Sequence, residues 1–311
     1  MKRKVLVIAG ATAVGKTSCS IAIAKQFSGE IINGDALQVY RGLNIGTAKI
    51  TAAEMDSIPH HLIDTHTIEE SYHVKSFQEE GRELIEAITN RGHLPIVCGG
   101  TGLYIKSLLY DYTFSDQAKD EDFISFLETL SNAQLFALLK QVDHKACETI
   151  HPHNRKRMIR ALEIAHLGDK KSDIIDRQEH KLCYDAYLIG LTIPRDQLHQ
   201  RIEQRFALMM KQGLFEEVEG LVKSDPNIWE RQCFQAIGYK EWSDYFNGKA
   251  TIAQCGEQII KNTKRFAKRQ DTWFRNQLPM HWYDTQTDDW QKRMMSDVEQ
   301  WLQTKGDGNH G

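Results

Sequence analysis

The sequence predicts an α/β fold, a parallel sheet flanked by helices, and three observations carry that expectation. The first is the stretch 5–17, VLVIAGATAVGKT, in which an apolar β-branched run ends at Gly10 and the pattern Gly10-x-x-x-x-Gly15-Lys16-Thr17 follows. The second is a recurrence of short apolar runs at 30–35, 59–64, 94–98 and 186–193, with helical periodicity between them. The third is a change of character after residue 115, where 116–181 offers helical stretches and no convincing strand. Together they predict a P-loop NTPase-like core over 1–114 and 184–311, with a helical insertion over 115–183.

The first run supplies the chemistry. Glycines let the backbone turn tightly and present successive N–H groups to an anion, while the next helix aims its positive end at the same point. Gly10, Thr12, Ala13, Val14 and Gly15 are therefore expected to cradle phosphate, Lys16 to reach its outer oxygens, and the Thr17 hydroxyl to ligate Mg²⁺. Residues 18–27 continue as a helix. A turn that is merely glycine-rich, or a secretory signal after Lys2-Arg3-Lys4, would explain the run differently. The apolar stretch is only about ten residues long and flows into Gly-Lys-Thr, which speaks against a signal.

At 311 residues the chain has room for one large domain or two smaller ones. No apolar run approaches the ~20 residues of a membrane span. The six cysteines are scattered without a C-x-x-C pair, which favours reduced thiols and a cytoplasmic protein over a disulfide framework or zinc site. A net charge of −3 leaves nucleic-acid binding to local basic surfaces.

Residues 30–35 read as a second strand with Asp35 at its carboxyl end, where ligands gather in open parallel sheets. The irregular 36–49 reads as a binding loop; the plainer alternative is a surface excursion with Asp35 as a turn residue. The next strand, at 59–64, contains His60 and His61, whose side chains must point to opposite faces, so at most one serves a given site. Residues 74–91 have helical spacing, closed by Gly92. A strand at 94–98 leads into Gly99-Gly100-Thr101-Gly102, a backbone nest with a hydroxyl at its centre. Glycines alone would suffice for a structural turn, so Thr101 is a candidate functional group. The insertion shows helical stretches at 122–130, 133–142, 144–149 and 157–167, and a charged loop at 169–173. The chain returns to the sheet at 186–193, continues in helices at 197–211, 215–222 and 252–276, and ends with a strand at 281–284, a helix at 288–302 and a polar tail expected to be disordered.

Two basic modules stand out from the acidic background. Arg155, Lys156, Arg157 and Arg160 fall together with no acid before Glu163. Lys261, Lys264, Arg265, Lys268 and Arg269 fall at helical spacing on one face, with only Asp271 near in sequence. Like charges repel along a helix, so such a stripe implies an anionic partner or full solvation.

As a set, these residues resemble the tRNA dimethylallyltransferases. The motifs are GATAVGKT (10–17), GDALQVYRGLNIGTAK (34–49), PHHLID (59–64), VCGGTGLY (97–104), NRKRMIRALE (154–163), QAIGYKE (235–241) and KNTKRFAKRQDTWFRN (261–276), in family order over nearly the whole chain. The resemblance implies transfer of the dimethylallyl group from dimethylallyl diphosphate to the N6 amine of the adenosine 3′ to the anticodon of tRNA. It implies that the phosphate loop, a nucleotide- and ATP-binding motif elsewhere, holds the prenyl diphosphate with Mg²⁺. Asp35 then looks like the general base and Thr101 like the hydroxyl beside the bridging oxygen. Asp35, Ala36, Leu37 and Gln38 match the segment that meets the target base. Arg155, Lys156, Arg157, Arg160, Lys264, Arg265, Lys268 and Arg269 would hold the anticodon stem-loop. The expected protein is a monomer without membrane partners. Two departures are visible: Ala11 stands where the family loop usually has Pro, and Ala36 where Ser usually follows the catalytic Asp.

Other classes remain open. A small-molecule kinase of the same fold also places an acid opposite its phosphate loop, but would have an arginine-rich lid. A free-nucleotide prenyltransferase would not need the insertion or the second basic stripe. A non-catalytic RNA-binding protein would leave Lys16, Thr17, Asp35 and Thr101 without work.

Overall fold

The computed structural model describes residues 2–114, 120–177 and 181–304; the expected start of the insertion at 115–119 and the expected disordered tail from 305 lie outside the described residues. The chain divides into two compact units, Met1–Leu109 with Leu182–Gly311, and Tyr110–Lys181. In the second unit Asp111 N–H donates to the Lys181 carbonyl (3.1 Å) and Lys181 N–H to the Asp111 carboxylate (3.1 Å), which ties its two ends together.

The first unit runs β1 (Lys4–Gly10), α1 (Lys16–Gln26), β2 (Gly29–Asn33), α2 (Ala52–Met55), β3 (His60–His61), α3 (Val74–Asn90), β4 (Leu94–Gly99) and α4 (Gly102–Leu109). The second unit contains α5 (Glu121–Thr129), α6 (Asn132–Val142), α7 (Ala146–Thr149), α8 (Arg155–His166) and α9 (Lys171–Arg177). The first then resumes with β5 (Asp185–Thr192), α10 (Arg195–Lys211), α11 (Leu214–Ser224), three 3₁₀ turns, α12 (Ser243–Phe246), α13 (Ile252–Gln277), β6 (His281–Asp284) and α14 (Trp290–Gln303). No helix among the described residues is long and apolar enough to cross a membrane.

The six strands form one parallel sheet in the order β3-β2-β4-β1-β5-β6. Val5, Leu6, Val7 and Ile8 are completely buried, which is why β1 reads as an unbroken apolar run and takes a central place with helices over both faces. Leu6, Ile8, Ile23, Ile96, Ile189, Met294, Val298 and Trp301 share one core, which brings the C-terminal α14 onto the sheet.

Two expectations need correction. The strand expected at 59–64 survives only as His60–His61, because Leu62 and Asp64 take positive φ and the Asn33 side-chain amide claims the Leu62 carbonyl (2.9 Å). The two histidines do diverge. His61 Nε2 meets the buried Glu30 carboxylate (2.7 Å), which Arg91 also holds by two bonds (2.7 and 3.0 Å), while His60 lines the cavity described below. The charged loop expected at 169–173 instead enters α9. Its cap is remote in sequence: the buried Asp143 carboxylate accepts from Ser172 N–H (3.0 Å) and from Ala146 N–H (3.1 Å), so one side chain caps both α9 and α7. Burial opposes the charge of Asp143, but these bonds hold its pKa below the ordinary value. The core of this unit is Leu127, Leu135, Leu139, Met158 and Ala161.

Candidate active site

The phosphate loop follows β1 as its sequence requires. Gly10 and Gly15 have φ of 149° and 106°, and Ala13 itself takes a left-handed φ of 66°, so the backbone changes direction sharply three times between β1 and α1. A Cβ at Gly10 would meet the Leu191 carbonyl at 2.7 Å, so only glycine lets β1 lie this close to β5 there. Lys16 turns back over the loop and donates to the carbonyls of Gly10 (3.1 Å) and Ala11 (2.9 Å). Burial pulls its pKa down to about 8. Thr17 is in the first turn of α1 and lines the cavity. Val14 faces the opposite way and is buried against the core.

Asp35 lies two residues beyond β2, in a turn closed by Leu37 N–H on its own carboxylate (2.9 Å) and by Asp35 N–H on the Asn33 side chain (3.1 Å). Burial raises its pKa; the Leu37 N–H and the charges of Lys16 and Arg205 oppose the rise without cancelling it. A carboxylate with a raised pKa is a stronger base than a free one. The nest after β4 docks beside it. Thr101 N–H donates to the Gly34 carbonyl (3.3 Å), and the Thr101 hydroxyl accepts from Ala36 N–H (3.4 Å) and has no acceptor for its own proton among the described residues. The cavity wall at this corner is Cys98, Gly99 and Gly100, with Thr101 next to it and not on it.

A cavity of about 590 Å³ joins these parts, lined by Thr12, Ala13, Gly15, Lys16, Thr17, Asp35, Gln38 and Gly100 among others. A second, of about 350 Å³, adjoins it and shares Thr12, Ala13, Asp35, Thr47, Ala48, Arg205 and Phe266, with a more apolar wall that includes Leu37, Ile202, Phe206, Met209 and Ile259. Asp35 belongs to the common wall.

Three site residues escaped the sequence reading. Arg201 and Arg205 of α10 reach the phosphate loop, Arg201 to the Val14 carbonyl (3.4 Å) and Arg205 to the Thr12 hydroxyl (3.3 Å). Their i, i+4 spacing beside the apolar Leu198 and Ile202 was a signal that they border a buried face. Gln270 of α13 is buried and spans two loops, accepting from Thr12 N–H (2.9 Å) and donating to the Gly100 carbonyl (2.9 Å). Gln270→Leu should cost about 1–3 kcal/mol in urea denaturation, since it leaves both backbone groups without partners. A cost near zero would show that water replaces the amide.

The basic residues divide by environment. On α13, Arg265, Lys268 and Arg269 are exposed, while Lys264 is paired with Glu203 of α10, an acid that the linear reading did not place there. In the helical unit Lys156 and Arg157 are exposed and Arg160 pairs with Glu163 (2.7 Å). Arg155 differs from expectation. Its guanidinium donates to the carbonyls of Leu127 (3.1 Å), Glu128 (2.6 Å) and Leu130 (2.6 Å), and so satisfies the last carbonyls of α5.

No group of three or more His, Cys, Asp or Glu among the described residues could hold a metal by itself. A hydroxyl at the start of α1 beside an anion cradle fits a hard cation that keeps several waters and shares a ligand's phosphates, which is the habit of Mg²⁺.

A parallel sheet with this loop, and an acid facing it across the cavity, defines a P-loop-type α/β protein built around a phosphorylated ligand. Residues 38–277 match the model of the IPP transferase family. The chain is 47% identical to the tRNA dimethylallyltransferase of Anoxybacillus flavithermus over 98% of both chains, and 48% identical to that of Bacillus cereus over 99% of this chain and 98% of the other. Among solved structures it resembles the full-length tRNA isopentenylpyrophosphate transferase of Bacillus halodurans (40% identity, 97% of each chain, TM-score 0.73). It also resembles a eukaryotic dimethylallyltransferase captured acting on tRNA (29% identity, 96% of this chain, 79% of the other, TM-score 0.85). The chain belongs to the tRNA dimethylallyltransferase family.

Proposed function

We propose that this protein transfers the dimethylallyl group from dimethylallyl diphosphate to the N6 amine of the adenosine 3′ to the anticodon of tRNA. The observation that carries this reading is the position of Asp35, in the wall common to a cationic phosphate cradle and an apolar chamber. The amine nitrogen attacks the allylic carbon, the C–O bond to the diphosphate breaks, and its electron pair leaves on the bridging oxygen. Asp35 takes the proton, which the amine releases readily once alkylation puts positive charge on nitrogen. The N–H groups at the loop's end and the start of α1, with Lys16 and Arg205, stabilise the charge that grows on the departing diphosphate; those of Thr12 and Val14 are taken by Gln270 and the Ala11 carbonyl. The Thr101 hydroxyl proton serves the same purpose. Mg²⁺, held by Thr17 and the phosphates, would supply further neutralisation of that charge.

The adenosine has to leave its stack to reach a walled cavity, so the stem-loop is gripped and one base is flipped inward. Lys156, Arg157 and Arg160 in the helical unit, and Arg265, Lys268 and Arg269 with a lesser part for Lys264 on α13, are the phosphate contacts; Arg155 contributes by holding α5. Asp35, Ala36, Leu37 and Gln38 form the edge that meets the base. The protein works as a monomer on soluble substrates in the cytoplasm.

Labelled dimethylallyl diphosphate with Mg²⁺ and an anticodon stem-loop should give labelled RNA. Label entering AMP alone, or ATP turnover without prenyl transfer, would overturn the assignment. Replacing Lys264, Arg265, Lys268 and Arg269 with Ala should lower the magnitude of the slope of log K against log salt for RNA binding by about 3, at ~0.7–0.9 for each phosphate no longer neutralised. An unchanged slope would assign the stripe to solvent.

A further inference from the structure

The turn 44–49 is held from outside by a carboxylate. Three successive backbone N–H groups, those of Asn44 (2.9 Å), Ile45 (2.8 Å) and Gly46 (3.1 Å), converge on the side chain of Glu217 in α11, and the buried Tyr239 hydroxyl adds a fourth donor (2.8 Å). Convergent backbone donors of this kind elsewhere hold phosphate; here the protein fills the nest with its own anion. Gly46 packs so closely on Tyr239 that a Cβ would meet its ring at 2.5 Å, so the turn has no freedom to slide.

The next two residues of that turn face the cavity. The carbonyls of Thr47 and Ala48 accept from Gln38 Nε2 (3.2 and 3.4 Å). The amide nitrogen of Gln38 is thus directed at the turn, and Gln38 Oε1, without a partner among the described residues, is left as an acceptor on a residue that lines the cavity. A fixed acceptor suits an exocyclic amine and opposes a carbonyl at the same place on a purine. Were the turn released, the amide could rotate and present either group.

We infer that Glu217 is a positioning residue for the acceptor base: by filling the nest at 44–46 it fixes the Thr47 and Ala48 carbonyls, which orient Gln38 to read an amino group. The inference rests on the reading of Gln38 as a contact to the flipped base. It assigns Glu217 no contact with either substrate.

The test compares two stem-loops as ligands, one with adenosine and one with inosine at the target position, the second measured as a competitive inhibitor. The unaltered protein should prefer adenosine by about tenfold. Glu217→Gln replaces an anion by an amide whose NH₂ faces the nest donors, and should bring the ratio close to one while leaving dimethylallyl diphosphate affinity within about twofold. Tyr239→Phe removes one donor of four and should shift the ratio partway, which keeps the inference open to test if Glu217→Gln folds poorly. In a Gln38→Ala background Glu217→Gln should have no additional effect on the ratio. If Gln38→Ala collapses the ratio and Glu217→Gln in folded protein does not, the positioning role is refuted and the Gln38 reading stands. If Gln38→Ala leaves the ratio unchanged, both fail together. A parallel loss of donor affinity in Glu217→Gln would make Glu217 a general structural residue and overturn the proposal.

Discussion

Asp35→Asn is expected to lower kcat by about a thousandfold, within the usual range for a general base, while RNA affinity stays within about threefold. The substitution keeps the size of the side chain and the oxygen that accepts from Leu37 N–H, so the turn at 35–37 has no reason to open. Single-turnover rates and filter binding separate the two effects. A comparable loss of RNA affinity would make Asp35 structural. Its raised pKa adds two signs. Because the base works only when ionised, the rate with unaltered protein should fall with decreasing pH through a value above the ordinary 3.8. The folded chain also holds this proton more tightly than the unfolded one, so the group favours folding at low pH and loses that contribution as pH rises through its folded pKa. Asp35→Asn should therefore leave Tm at neutral pH unchanged or higher. A lower Tm would mean that the carboxylate is stabilised by charges stronger than its burial.

Lys16→Ala should reduce kcat by about a hundred- to a thousandfold if, as proposed, its ammonium meets the charge of the departing diphosphate. Its ammonium rests on the Gly10 and Ala11 carbonyls in a buried position, and burial pulls its pKa to about 8. A diphosphate favours the charged form, so the affinity for dimethylallyl diphosphate should decline as pH rises through about 8, and binding there should take up a proton. Calorimetry in buffers of different ionisation enthalpy measures that uptake. For the free protein the sign is opposite: between about 8 and 10.5 the unfolded chain holds more protons at this residue, so its contribution to stability rises with pH. Donor affinity that is flat across pH 7–9 would show that Lys16 does not meet the diphosphate.

Much of this site was legible because its parts are local. Residues 5–17 encode strand, loop and helix start in one run, and the glycines at 10 and 15 occupy the left-handed positions that the turn needs. The parallel order followed from apolar runs separated by helical segments, and the cation stripe of α13 from spacing alone. What stayed hidden depends on partners far along the chain. The helix α4 begins at Gly102 under the ring of Trp273, where a Cβ would lie 2.2 Å from a ring carbon, and nothing near residue 102 announces that contact. Asp143 caps α9 across 29 residues, so 169–173 looked like a charged loop.

The sequence by itself determined the class of chemistry, since a phosphate loop, an acid after the second strand and a hydroxyl in the glycine nest are all set by residue type and short spacing. Only the tertiary structure decided how these parts are held together and which cations are free. Gln270 joins two loops that lie 88 residues apart at Thr12 and Gly100, Arg201 and Arg205 reach the phosphate loop from α10, and Arg155 is spent on the end of a helix. A hydrogen bond depends on where two groups meet in space, and a linear pattern records that only when both partners belong to the same element.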